Sequence, residues 1–451
     1  MRHSHNKELT KNKCVKRGAP QQKFYVAADK KRDKMEQRVV ITGIGAITPV
    51  GNKVDETWKN LVEGNCGIDF IKGYDEFNLP VKVAGQVKNF DQSQYELNAG
   101  LARRSDKFCV YAMAAASDAM KDSGLVSGEN IAPERLGVYI GSGIGGMDTF
   151  VNQTKVLLEE GVHRISPFFV PMMISNIASG NVAISHNAQG VCLPVVTACA
   201  TGTHSAGEAY RAIKHGYADA IITGGAEASV HPLAIGGFAN SKALSRSEDP
   251  LQASLPFSAD RHGFVIAEGA GMMVFESLES AQRRGAKIYA EVVGYGNSCD
   301  AHHFTAPHPE GIPASRAIKQ ALDEAQFDAD KDLLYINAHG TGTPLNDASE
   351  TKAIKLAMGE EAARKAMITS TKSITGHMLG ATGAVELIAS ALSLYHGVVT
   401  PTIGLTNPDP ECDLDYTPLK ARKADLTVAI SNSLGFGGHN ACVALRKWTG
   451  K

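Results

Sequence analysis

The chain has 451 residues, 43% of them hydrophobic and 21% charged, with a net charge of −1. That composition suits a globular protein built as one large or two intimate domains, and the charge balance excludes a global nucleic-acid footprint while leaving room for a local basic patch. No apolar run reaches the ~18 residues of a membrane span.

Residues 1–36 differ from the rest of the chain. They are polar and basic (Lys11, Lys13, Lys16, Arg17, Lys30, Lys31, Arg32) and lack the apolar core of a signal peptide. A disordered or non-native tail is expected there, with Met35 as an alternative start. The cysteines, at 14, 66, 109, 192, 199, 299, 412 and 442, form no CxxC pair, which points to a reducing, cytoplasmic compartment. The histidines show no zinc spacing; His302-His303 is merely adjacent.

Ordered structure is expected from Arg38-Val39-Val40-Ile41-Thr42-Gly43-Ile44-Gly45, an apolar run suited to a strand covered on both faces. Its Gly43-x-Gly45 pair lacks the third glycine of a dinucleotide fingerprint, because Thr48 and Pro49 come next, and that reading is rejected. Further strands are expected at 136–140, 194–197, 220–227 and 271–276. The same succession returns at 289–296, 333–338, 367–371, 428–432 and 441–445, with helix-like intervals between. Two similar halves, 37–287 and 288–451, are implied, in a layered α/β architecture with mostly buried sheets. The first half is longer, so insertions are expected near 50–135 and 145–190. The site of such a duplicated fold is expected where the halves meet.

The most informative stretch runs from Pro194 to Glu208. A short apolar strand turns through Thr197-Ala198-Cys199-Ala200 into a helical pattern marked by Ala209, Tyr210 and Ile213. A cysteine at a helix N-terminus is favoured as thiolate, and the free N–H groups there can hold an oxyanion. The same pattern also fits a buried structural cysteine. Strand-end residues of the second half join it: His339 in Asn337-Ala338-His339-Gly340-Thr341-Gly342-Thr343-Pro344, Lys372 and His377 in Lys372-Ser373-Ile374-Thr375-Gly376-His377, and the loop Gly435-Phe436-Gly437-Gly438.

Taken together, these four motifs resemble the elongating β-ketoacyl-[acyl-carrier-protein] synthases, nearest to the second isoform of bacterial type II fatty-acid synthesis. The resemblance runs from about residue 37 to 447. It implies a duplicated thiolase-like αβαβα five-layer fold, a homodimer, and a decarboxylative Claisen condensation of malonyl-carrier protein with an acyl group held on Cys199. By resemblance, His339 and His377 stabilise the enolate, and the backbone N–H groups of Cys199 and Phe436 form an oxyanion hole. Lys372 pairs with Glu386, and Thr341 and Thr343 hold the phosphopantetheine arm. Phe436 is either a gate to the acyl pocket or simple packing at a turn. Ile144 and the segment 167–173 are candidates for the acyl tunnel and dimer contact, and Phe238 for substrate binding. Lys242 is either a landing site for acidic acyl carrier protein or a solvated surface lysine. The chemistry implies no cofactor and no metal, with malonyl and acyl thioesters as substrates and no nucleic acid or membrane as partner.

The chain departs from the family pattern at His302 (often Tyr), Gly342 (often Ser), Leu434 (often Phe) and His204. Alternatives are a polyketide-type ketosynthase with the same triad and a coenzyme A-dependent thiolase. The thiolase needs a second cysteine in the last glycine-rich loop, where Phe436 stands. A chain-initiating synthase carries a Cys–His–Asn set, which His377 opposes, and a chain-length factor lacks the nucleophile.

Overall fold

The computed structural model describes residues 36–450. The expected basic tail lies outside these residues except for Glu36, whose carboxylate pairs with Lys214. Ten strands carry the fold. In the first half they are β1 (Val39–Ile47), β2 (Leu136–Gly141), β3 (Cys192–Leu193), β4 (Ala220–Glu227) and β5 (Gly269–Ser277). In the second half they are β6 (Ala290–Cys299), β7 (Leu334–Asn337), β8 (Met367–Thr369), β9 (Val428–Gly435) and β10 (His439–Lys447).

The strand order is β3-β2-β4-β5-β1 in the first half and β8-β7-β9-β10-β6 in the second. In each half the fifth strand is antiparallel to both neighbours and the other pairings are parallel. The expected duplication is therefore present strand for strand. The two sheets join at one edge, where Val39–Ile41 pair antiparallel with Ala290–Val292.

Helix α1 (Lys107–Ser123) covers the outer face of the first sheet. Helix α2 (Thr201–Lys214) lies between the sheets and touches strands of both halves. Helices α3 (Ile312–Glu324) and α4 (Pro344–Met358) form the outer layer of the second half, α3 packing on β6 and β10 and α4 on α3. Helix α5 (Thr382–His396) joins α2 in the centre, against β9 and β5. The result is the five-layer αβαβα arrangement. Three apolar cores match it: one between the sheets, holding residues of both halves, and one under each outer layer.

The Gly43-x-Gly45 pair has a packing explanation. A Cβ on Gly43 would lie 2.1 Å from the Ala119 carbonyl oxygen, and one on Gly45 2.0 Å from that of Ala115, so only glycine lets α1 seat on β1. Gly294 and Gly296 stand in the same relation to Ala321 (2.1 Å) and Ala317 (1.7 Å) of α3. This correspondence corrects the expected insertion at 50–135: its last part is α1, the counterpart of α3.

One strand falls elsewhere than expected. Residues 194–197 form no strand; β3 is only Cys192–Leu193, paired with Val138 and Tyr139. Pro194 has no N–H to donate to a ladder and ends the pairing. Leu193 and Val196 are 52% and 49% exposed along this sheet edge.

Candidate functional site

Cys199 lies in the tight turn Ala198–Ala200 that leads directly into α2. Ala198 takes a left-handed backbone (φ +52°), a conformation costing about 1–3 kcal/mol for a residue with a side chain and found mainly at functional turns. The turn is hemmed in by Gly435, where an added Cβ would lie 2.7 Å from the Thr197 carbonyl oxygen.

The backbone N–H groups of Phe436 and of Cys199 itself are directed at the sulfur, and both favour its charged form. Burial outweighs them and pushes the thiol up to about 11, with Lys372 opposing and Glu227 adding to the rise. The helix N-terminus therefore does not make a resting thiolate, contrary to the expectation from sequence. The two N–H groups remain as donors at the sulfur.

His339 follows β7 on a turn fixed by Glu350 of α4. This buried carboxylate accepts the N–H groups of His339 (2.7 Å) and Gly340 (2.8 Å) and the Asn432 amide (2.7 Å). His377 is tied to the first half: its N–H donates to the Val265 carbonyl at 2.7 Å, and its own carbonyl accepts from Ala267. The two imidazoles stand edge to face with centroids 5.4 Å apart. Both are buried, and desolvation with the nearby Lys372 charge holds both well below the usual histidine range, so both are neutral near pH 7. Nδ1 of His377 meets the Thr382 hydroxyl at 3.0 Å. Nε2 of His377 and Nδ1 of His339 have no hydrogen-bond partner among the described residues.

A cavity of about 370 Å³ brings Cys199, His339, His377, Phe436, Phe238, Lys242, Thr341 and Thr343 together. The Thr341 and Thr343 hydroxyls lie 3.0 Å apart on its wall. Phe264 shares the lining and packs edge-on against both Phe238 and His377. Lys372 and Glu386 do not line it. They form a buried ion pair of 2.6 Å, set away from the cavity wall.

Ile144 is 39% exposed, and neither it nor any residue of 167–173 lines the cavity. The neighbouring Gly143 N–H is held by Glu227 at 2.8 Å. Of the family departures, Leu434 lines the cavity, and His204 bonds the Thr197 hydroxyl at 2.9 Å, two residues from the thiol. Glu350 and Phe264 were missed from sequence. Glu350 had a signal: it shares the buried face of a helix with Asp347, Ala353 and Ile354, and an acid on such a face is held for a purpose.

Among the described residues, no group of three or more His, Cys, Asp and Glu side chains is placed to hold a metal ion.

The arrangement matches known proteins along most of the chain. Residues 36–281 fit the family model "Beta-ketoacyl synthase, N-terminal domain", and 289–406 fit "Beta-ketoacyl synthase, C-terminal domain". The chain belongs to the β-ketoacyl synthase family. This synthase is 53% identical over 412 residues to the 3-oxoacyl-[acyl-carrier-protein] synthase 2 of Staphylococcus aureus, covering 91% of this chain and 99% of that one. It is 49% identical over 414 residues to the protein of the same name from Synechocystis, covering 92% and 99%. Among solved structures, it superposes on a β-ketoacyl synthase from Burkholderia phymatum with a TM-score of 0.85 at 32% identity, over 92% of this chain and all of that one. A ketosynthase complex with a type II polyketide acyl-carrier protein matches with a TM-score of 0.83 at 34% identity, over 92% and 100%.

Proposed function

We propose that this synthase elongates acyl chains on acyl carrier protein by two carbons, as a 3-oxoacyl-[acyl-carrier-protein] synthase of fatty-acid synthesis. One observation carries the reading: Cys199, two neutral imidazoles and the N–H groups of Cys199 and Phe436 share one cavity.

In the first step the Cys199 sulfur attacks the acyl thioester carbonyl. The oxyanion is held by the two N–H groups, the carrier thiol leaves, and the thiol proton goes to it. In the second step malonyl-carrier protein binds and its carboxylate leaves as CO2, the electron pair passing into an enolate. The enolate oxygen takes ring N–H donors from His339 and His377, which cost nothing to reorganise because both rings are buried in place. The enolate carbon attacks the acyl-Cys199 carbonyl, the C–S bond breaks, and the departing sulfur takes one proton from water. These groups accommodate each charge that develops, and the reading assigns no cofactor.

Lys242 at the cavity mouth is the docking cation for the acidic carrier, and Phe436 gates the acyl pocket. The unpaired edge at Leu193 and Val196, with the exposed Phe168 and Val170, suits a second copy of this chain, so the reading includes a homodimer. The halves are taken as 37–287 and 288–451. No described helix is long and apolar enough to cross a membrane, and every described cysteine is free, which suits a reducing, cytoplasmic setting.

The test is to mix the enzyme with acyl- and malonyl-carrier protein. One CO2 and one carrier-bound 3-oxoacyl chain longer by two carbons are expected per turnover. Hydrolysis without elongation, or transfer to coenzyme A alone, would overturn the reading. Repeated elongation to an unreduced poly-oxo chain would point to the polyketide alternative.

A further inference from the structure

The halves meet in a crossed arrangement. The turn Ala198–Ala200 packs on β9 of the other half, and the equivalent turn Leu379–Ala381, which leads into α5, packs on β4. Both turns open on a left-handed residue, Ala198 at φ +52° and Leu379 at φ +47°. Gly380 is therefore the counterpart of Cys199. The registers Leu136↔Ala220 and Leu334↔Val428 make Glu227, the last residue of β4, the counterpart of Gly435, the last of β9.

Each crossing pairs one side chain with one glycine. An added Cβ on Gly435 would lie 3.4 Å from the Cys199 nitrogen. An added Cβ on Gly380 would lie 2.9 Å from Glu227 Oε2, so the carboxylate fills the space a side chain at 380 would take. Glu227 is fully buried. Its Oε2 accepts the N–H groups of Gly143 (2.8 Å) and Gly380 (3.1 Å), and its Oε1 accepts the hydroxyls of Ser142 (2.9 Å) and Ser229 (3.1 Å). All four are neutral donors. In the first crossing N–H groups face a sulfur where an oxyanion forms; in the second they face a resident carboxylate.

We propose that Glu227 is a positioning residue for the condensation: it ties the Gly143 loop and the Gly380 turn together next to Cys199 and sets a carboxylate near the sulfur. The proposal rests on Cys199 being the nucleophile. The charged and titratable groups that act on that sulfur are Lys372 and Glu227, and His339 and His377 face the same cavity. Glu227 works against the thiolate and Lys372 for it. Burial is the main cause that keeps the sulfur protonated, and the Glu227 charge adds to it; the protonated form resists alkylation and oxidation, since the thiolate is the reactive form.

Glu227→Gln separates charge from geometry. The carboxamide oxygen can take both N–H groups while its NH2 donates to the Ser142 and Ser229 oxygens, which can accept. Site-resolved alkylation of Cys199 by iodoacetamide is followed from pH 6 to 10. The expected result is a profile moved to lower pH, with faster alkylation at pH 7, at an unchanged melting temperature. Glu227→Ala, which strands four donors, is expected to lower condensation at least about tenfold. A Glu227→Gln profile that superimposes on wild type overturns the proposal. So does a Glu227→Gln chain that cannot fold, because the geometry would then need the charge. The alkylation needs no acyl substrate, so a wild-type enzyme that forms no acyl-Cys199 refutes the functional reading separately.

Discussion

Lys372 and Glu386 pair at 2.6 Å with each side chain only 1% exposed, and neither reaches the cavity that holds Cys199. The lysine acts at a distance. Its ammonium helps keep both imidazoles neutral and favours the Cys199 thiolate.

Removing one member of such a pair leaves a buried, uncompensated charge. Lys372→Met should destabilise the fold by about 3–5 kcal/mol, whereas Lys372→Met with Glu386→Leu should recover much of that loss. Urea unfolding of the three chains checks this. Equal losses in the single and double variants would mean the pair is not what holds this region.

His339 and His377 should be separable from Cys199 by step. Alanine at either should lower condensation about 10²–10³-fold while the acyl group still transfers to Cys199. Single-turnover mass spectrometry of acyl-enzyme, beside product formation, measures both. Acylation and condensation falling together would move the histidines to the first step.

The buried histidines also set an acid limit on stability. Burial holds His339 and His377 well below 6.5 and brings His204 to about 4. The unfolded chain binds these protons more readily, so stability is fully present above pH ~6.5. It falls as pH drops below ~6.5 toward the folded-state values, by up to about 1.4 kcal/mol per pH unit for each group. Thermal melts from pH 8 to 5 should show this decline, less steep in His377→Asn. A flat melting temperature down to pH 5 would contradict it.

Gly296→Ala tests the duplication as a packing device. The new Cβ would overlap the Ala317 carbonyl oxygen at 1.7 Å, so α3 must lift from β6, at a cost of about 1–3 kcal/mol or more. Gly45→Ala should do the same to α1 on β1, whereas Gly236→Ala, which lies inside the helix Pro232–Asn240 and meets nothing within 4 Å, should not destabilise and should gain up to about 1 kcal/mol. Chemical denaturation of the three chains settles the comparison.

The duplication was legible in sequence because each half repeats apolar strands buried on both faces, each closed by small residues. Cys199, His339 and His377 were legible because each sits beside small residues or glycines at a strand end. Three things were not. The short β3 hid because Val195 and Val196 look like strand but come after Pro194 on an exposed edge. The thiol's neutral resting state depends on burial by residues from both halves, which a local helix-terminus rule does not see. Glu227 acts through backbone N–H groups of other segments, and side-chain patterns do not report such contacts.

The most direct measurement is intact and peptide-resolved mass of the enzyme after incubation with acyl-carrier protein alone. One acyl group on the peptide containing Cys199, absent in Cys199→Ala and discharged when malonyl-carrier protein is added, is the expected result. An acyl group carried elsewhere, or elongation persisting in Cys199→Ala, would contradict the account.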